Sequence, residues 1–275
     1  MRERFVDLHV HTYFSDSTSS PSEVVARAVK EGFSAIAITD HDTIDGIIPT
    51  LKIAENFPLE IVPGIELTSE VDGLEVHILG YFFDYKSEKL AKRLSAIKEA
   101  RIKRIFEMCS RLKDLGVSIE PKEVFDLAGR GSVGRLHLAR VLLQKGFIAS
   151  IAEAFYKYIG DKCPAYVARF YLSPQEAISL IKELGGLAVL AHPYILSNDD
   201  LIVEFIQAGL RGIEVYYLEH STKVTEHFKE LAYKHGLLMT GGSDCHGSAK
   251  QQILMGKIKL PYEFLEKMKQ ELGLT

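Results

Sequence analysis

Cys109, Cys163 and Cys245 are all the cysteine that 275 residues contain. They are few, widely spaced and odd in number, which argues against a disulfide framework. No uninterrupted apolar run approaches the length of a membrane-spanning helix, and the opening MRERFVDLH lacks the apolar segment of a secretory signal. The excess of charge of one sign is also small. A net charge of −4 argues against bulk electrostatic attraction to nucleic acid or to an anionic membrane, and leaves only local basic patches open. No stretch is low in complexity, and no internal repeat of solenoid period is visible. These absences predict a reduced, soluble, cytoplasmic protein that needs no membrane and shows no sign of an obligatory protein partner.

What is present suits a globular chain: 47% hydrophobic and 25% charged residues supply a sizeable core. The length exceeds that of one ordinary domain but is normal for an α/β barrel or a domain carrying an insertion. Strands and helices alternate over the first eighty residues. RFVDLHV reads as a strand. SSPSEVVARAVKEG reads as a helix with Ser20 as cap, Pro21 at its first position, Glu23 completing a capping box and Gly32 ending it. SAIAIT has the continuous apolar character of a strand buried on both faces of a parallel sheet. A short helix near Ile44 to Asn56 and strands at LEIVPGI and LEVHILGYFF follow. From Lys86 to Ala168 the alternation gives way to helices, the longest over Lys86 to Leu115. It resumes with a second capping box at Ser173 and Glu176. Seven strand candidates, most separated by helices, predict a βα barrel or a doubly wound sheet, interrupted by one helical insertion. In the barrel reading residues 1–85 and 169–275 form the barrel, and residues 86–168 form a mostly helical insertion covering the active-site mouth.

Barrel active sites form where strands end. The first strand ends with His9 and His11, followed by Asp16. The second gives His41, the third Glu66, the fourth His77, the fifth His192, and the seventh Asp244 and His246; the sixth offers only Glu214, a doubtful ligand. In extended chain, residues two apart point to the same side, so His9 and His11 can converge on one ion. Taken singly, each has a bland reading: a helix-start histidine, an exposed loop glutamate, a hydrogen-bonded core imidazole. Their joint occurrence at successive strand ends is what those readings do not explain. Mixed imidazole and carboxylate ligands suit Zn, Mn or Fe better than Mg or Ca. Nine ligands are too many for one ion, and two or three divalent ions would use them.

DLHVHTYFSD, ITDHDT, PGIEL, EVHILGYFF, AHP and GGSDCH resemble the successive motifs of the PHP (polymerase and histidinol phosphatase) family, over essentially the whole chain. The likeness is greatest to its stand-alone bacterial phosphoesterases, which act on nucleoside 3′,5′-bisphosphates and short 5′-phosphorylated oligonucleotides. The resemblance implies a distorted (β/α)7 barrel with three metals. It places His9, His11, Glu66 and Asp244 on the first, Asp16, His41 and His246 on the second, and Glu66, His77 and His192 on the third. His192, Asp244 and His246 are then expected to act in catalysis as well. Cys245, between two of these ligands, is expected to pack rather than to react.

Residues Lys86 to Lys113 carry ten basic side chains against three acidic ones. Most are expected to be solvated, with Arg101 and Arg104 as candidate substrate contacts and Arg169 as a further one. GSVGRLHLARVL leads a glycine-rich backbone into a helix start bearing Arg135 and His137, a natural anion site. The family resemblance, which includes a similar Gly-Arg-x-His segment, makes both candidate phosphate ligands. A 5′-phosphate held there while the metals cleave on the 3′ side would give mononucleotides from either substrate. The rival readings are a histidinol phosphatase with the same metal site, a cyclic amidohydrolase, and a non-catalytic PHP binding domain. His220, His227 and His235 are expected to be solvated.

Overall fold

In the computed structural model, residues 3–129, 131–168, 172–196, 198–249 and 252–274 are described. The chain divides into two compact units, Met1–Leu90 with Leu172–Thr275, and Ala91–Tyr171. Among the described residues no helix is long and apolar enough to cross a membrane.

The first unit opens with β1 (Phe5–Val10), α1 (Pro21–Glu31), β2 (Ala35–Ile38), α2 (Ile47–Ala54), β3 (Glu60–Val71) and β4 (Leu74–Tyr81). Ser20 Oγ accepts from the Glu23 amide while Glu23 accepts from the Ser20 amide, and Gly32 ends α1 in the left-handed region at φ 80°. β2 is buried along its whole length, and its two faces divide by size. Ala35 and Ala37 point into the barrel with Val6, Leu8 and Val62, whereas Ile36 and Ile38 pack outward with Val24, Val25 and Ala28 of α1. Small side chains inside and branched ones outside follow from the two-residue period of a strand.

The second unit holds α3 (Glu88–Asp114, whose first turn belongs to the first unit), α4 (Pro121–Ala128), α5 (Arg135–Gln144) and α6 (Ile151–Ala154). Ile105, Met108, Cys109 and Leu112 form one apolar stripe of α3, which packs with Val124, Leu138 and Leu142. Lys92, Lys98 and Lys103 are exposed, as expected for most of the basic run.

The chain then returns to the first unit with α7 (Pro174–Glu183), β5 (Leu187–Leu190), α8 (Asp200–Ala208), β6 (Gly212–Tyr217), α9 (Thr222–His235), β7 (Leu238–Gly242), β8 (Leu260–Pro261) and α10 (Glu263–Glu271). The sheet order is β7-β6-β5-β4-β3-β2-β1-β8, and a parallel bridge from Val10 to Cys245, with the His11 amide donating to the Cys245 carbonyl at 3.1 Å, brings its ends together. The result is a distorted (β/α)7 barrel with its helical segment inserted after β4.

Two features depart from the simple alternation. β3 does not end at Glu66 but continues to Val71, and it joins β4 through Asp72 and Gly73, at φ 52° and 81°. This two-residue turn makes β3 and β4 an antiparallel hairpin with Thr68 opposite His77, and β4 also runs antiparallel to β5. Glu66 therefore projects from mid-strand, and His77 from the first half of a reversed strand rather than from a strand's end. The second departure is β8, a two-residue strand antiparallel to β1.

Candidate metal centre

Five imidazoles face one carboxylate. Glu66 Oε2 lies 3.2 Å from His9 Nε2, from His11 Nε2 and from His41 Nδ1. Glu66 Oε1 lies 2.9 Å from His77 Nδ1 and 3.1 Å from His192 Nε2. Asp244 Oδ1 is 3.1 Å from His11 Nε2 and 3.3 Å from His246 Nδ1, and Asp16 Oδ1 is 3.1 Å from His246 Nε2. All nine residues singled out as ligands in the sequence thus meet in the first unit.

Their donor atoms fall into three overlapping groups, each within 4.8 Å: His9, His11, Glu66 and Asp244; His11, Asp16, His41 and His246; and His41, Glu66 and His77. The first is the set expected for the first ion. In the second, His11 joins the three residues expected. In the third, His41 stands where His192 was expected, although His192 faces the same Glu66 oxygen as His77. His11 Nε2, Asp16 Oδ1 and His41 Nδ1 are buried without a hydrogen-bond partner, despite oxygens or nitrogens close by. Lone-pair-bearing atoms that converge without pairing fit a divalent cation, and the imidazole–carboxylate mixture suits a transition metal or zinc.

Electrostatics without metal is lopsided. Burial would raise the Glu66 carboxyl, but His41, His9 and His77 outweigh it and hold it well below the usual range. Burial likewise opposes charge on His11 and His77. The carboxylates of Asp244 and Glu66 close to Nε2 carry His11 up to about 9, and the charge and hydrogen bond of Glu66, with Glu75, carry His77 up to about 10. For His41 burial wins over the attraction of Glu66 and Asp16 and pushes the imidazole down to about 3. The non-glycine residues Asp42, His192 and Asp244 have φ of 51°, 25° and 48°. Such backbone is costly and persists only where its surroundings enforce it.

Several residues hold these side chains in place. Asp40 accepts from the Thr12 amide and hydroxyl, both at 2.6 Å, and from Ser15 Oγ at 2.8 Å, which fixes the turn leading to Asp16. A Cβ at Gly46 would sit 2.2 Å from Asp40 Oδ2, so only glycine leaves Asp40 its space. Tyr217 donates to Asp244 Oδ2 at 3.0 Å, leaving Oδ1 toward the histidines. Cys245 packs in the core beside Val10 and Met255.

Glu214, the doubtful ligand, has a different place. It is fully buried; Oε1 lies 3.0 Å from His9 Nδ1, and Oε2 accepts from the His192 amide at 2.8 Å. It orients one imidazole, with Nε2 turned toward Glu66, and the backbone of another. The one-residue alternation of GIEVYY was the available signal, because it turns Glu214 to the barrel interior. Glu214→Ala is expected to weaken metal binding about 10- to 100-fold, the usual cost of losing such a partner. Titration of Mn²⁺ against a competing chelator measures it, and an unchanged affinity would contradict the role.

The expected substrate residues lie in the second unit. Arg101 and Arg104 are buried, donating to the carbonyls of Val133 and Val167. Arg135 pairs with Asp161 at 2.9 Å, and His137 is buried with Nδ1 accepting from the Gly134 amide. Arg169 falls outside the described residues. His220 was expected in solvent but is half-buried, its Nδ1 lying 2.8 Å from the Val215 carbonyl. There its ring meets Tyr194, Tyr217 and Phe228.

Comparison with known proteins agrees with this geometry. A PHP domain model matches residues 7–183. The chain is 33% identical to a 3′,5′-nucleoside bisphosphate phosphatase of Chromobacterium violaceum, over 88% of this chain and 87% of that one. It is 31% identical to a phosphoribosyl 1,2-cyclic phosphate 1,2-diphosphodiesterase of Eggerthella lenta, over 88% and 94%. A 5′-3′ exoribonuclease of Haemophilus influenzae is 33% identical, over 87% and 89%. The solved structure of a chain described as a metal-dependent phosphoesterase, from Bifidobacterium adolescentis, has a TM-score of 0.88 at 30% identity and covers 96% of this chain and 95% of that one.

Proposed function

The chain belongs to the PHP family of metal-dependent phosphoester hydrolases, and on that premise we propose that it cleaves the 3′-phosphoester of 5′-phosphorylated nucleotides. Nucleoside 3′,5′-bisphosphates would give 5′-monophosphates, and short oligonucleotides would be shortened 5′ to 3′. The convergence of nine candidate ligand side chains, with five imidazoles facing Glu66, carries the reading. Names of relatives support the substrate class: a bisphosphate phosphatase and an exoribonuclease each act on nucleotide phosphoesters.

Two or three divalent ions of Mn, Zn or Fe fit the site. His9, His11, Glu66 and Asp244 would hold one, Asp16, His41 and His246 with His11 a second, and Glu66, His77 and His192 a third. When bound, such ions supply hydroxide near neutral pH and neutralise the phosphoryl oxygens as charge develops. The chain's own part is to preorganise. Glu214 and Tyr217 lock His9 and Asp244, Asp40 locks the turn before Asp16, and the strained His192 and Asp244 backbones aim their side chains at the same space. His192, Asp244 and His246 border the cavity where substrate would react.

The test is phosphate release by protein purified without chelator and supplied with Mn²⁺. Adenosine 3′,5′-bisphosphate is expected to react, and 5′-AMP and histidinol phosphate are not, with Asp244→Ala as the control for contaminating phosphatase. Adenosine 3′-monophosphate should turn over more slowly than the bisphosphate. Release from histidinol phosphate, or equal turnover with and without the 5′-phosphate, would overturn the substrate assignment and leave the metal site standing.

A further inference from the structure

The cavity over the metal ligands, about 340 Å³, has a wall that coordination does not explain. Tyr194, Ile195, Tyr217, Glu219 and Glu75 line it together with the ligands, and no lysine or arginine does among the described residues. A second phosphate finds no cation on that wall and two carboxylates to repel it. What the wall offers instead is aromatic surface.

Tyr194 follows His192 by two residues, in the short turn Pro193–Ile195 that the Leu196 amide closes on the Pro193 carbonyl. Its ring lies near-parallel to that of Tyr217, with centroids 5.8 Å apart and planes 21° off. Its hydroxyl donates to Glu219 Oε2 at 2.6 Å, and His220 meets it edge-on. Tyr217 in turn is pinned by its hydrogen bond to Asp244. The two rings form a fixed step leading outward from the ligand shell, and the outer one, Tyr194, is 41% exposed. Large apolar surface held rigid and left open beside a reaction centre is suited to stacking against a flat ring, at little cost in side-chain order.

We propose that Tyr194, backed by Tyr217, is the stacking platform for the substrate's nucleobase, so that the site selects phosphoesters carrying a planar ring close to the ester. This rests on the nucleotide reading above and adds what that reading leaves open: which part of the chain senses the base. Every base has a stacking face, so the platform favours nucleotides over sugar phosphates without favouring one base strongly.

Binding tests it apart from turnover. Calorimetry on Mn²⁺-saturated protein compares AMP with ribose 5-phosphate, which lacks the base. The wild-type chain is expected to bind AMP about tenfold more tightly, in the range of one base–aromatic stack. Tyr194→Ala should erase that preference while leaving ribose 5-phosphate affinity and Mn²⁺ affinity unchanged. Tyr194→Phe, which keeps the ring and loses the hydroxyl, should retain most of it. Equal affinities in the wild type, no measurable AMP binding, a preference that survives in Tyr194→Ala, or equal weakening of both ligands would each overturn the platform. If the AMP preference follows Tyr194 but adenosine 3′,5′-bisphosphate is not hydrolysed, the platform stands and the proposed reaction fails. Hydrolysis with no base preference gives the reverse.

Discussion

Replacing Glu66 with glutamine is expected to lower phosphoester hydrolysis by about three orders of magnitude or more. The change is nearly isosteric, so the backbone of β3 and its hairpin with β4 have no reason to move. What changes is chemistry. Glu66 presents Oε2 to His9, His11 and His41 and Oε1 to His77 and His192, and it belongs to two of the three ligand groups. A glutamine offers one oxygen and one NH2 and no charge, so one side of the site would meet a donor where a cation needs an acceptor. Charge stabilisation by a metal is worth several kcal/mol in the transition state. At about 1.4 kcal/mol per factor of ten, that is a loss on the order of 10³. The check is the initial rate on adenosine 3′,5′-bisphosphate together with metal content per chain. Bound metal should fall with the rate. A variant keeping a tenth of the rate and its full metal content would show that Glu66 is not needed to hold metal.

How much of the fold and of the site is legible in the sequence depends on whether the signal is local. Capping boxes at Ser20–Glu23 and Ser173–Glu176 involve residues three apart, and both form as the sequence pattern indicates. The H-x-H spacing of His9 and His11 needed only the pleat of a strand. The β3–β4 hairpin was legible too, since Asp72-Gly73 between two alternating, strand-like segments is a strong two-residue turn signal. Expecting β3 to stop near Glu66 hid it, and with it the reversed direction of β4 and the mid-strand placement of His77. Glu214 and His220 were missed for another reason. What makes Glu214 a positioning residue is a histidine some two hundred positions earlier and a backbone amide twenty-two earlier. What buries His220 is a cluster with Tyr194, Tyr217 and Phe228, assembled across two connections of the barrel. The alternation of GIEVYY turns Glu214 inward, but the partners it meets there leave no local pattern.

The second large effect concerns stability, and its sign follows from the protons the site holds once metal is removed by chelator. His11 and His77 are raised from 6.5 to about 9 and about 10 in the folded, metal-free chain. Groups raised on folding stabilise fully below their unfolded value, near 6.5, and that contribution is lost as pH rises through 9 and 10. On the acid side the sign reverses. Glu66 and Asp16 are held below their ordinary range, and His41 is held to about 3, so the unfolded chain takes up protons first and stability falls with falling pH. The metal-free protein should therefore be most stable close to pH 6.5–7. Ligation needs neutral imidazoles, so loading expels the protons from His11 and His77 and removes the alkaline loss. At pH 7, Mn²⁺ at about a hundred times its dissociation constant adds about 2.7 kcal/mol, or roughly 5–10 °C in Tm. The gap between loaded and chelator-treated protein should widen from pH 7 to pH 9, because only the metal-free form weakens over that interval. Thermal unfolding under argon at the two pH values decides it. A gap that narrows would mean that His11 and His77 are neutral in the empty site, and that Glu66 is balanced there by some other arrangement of charge.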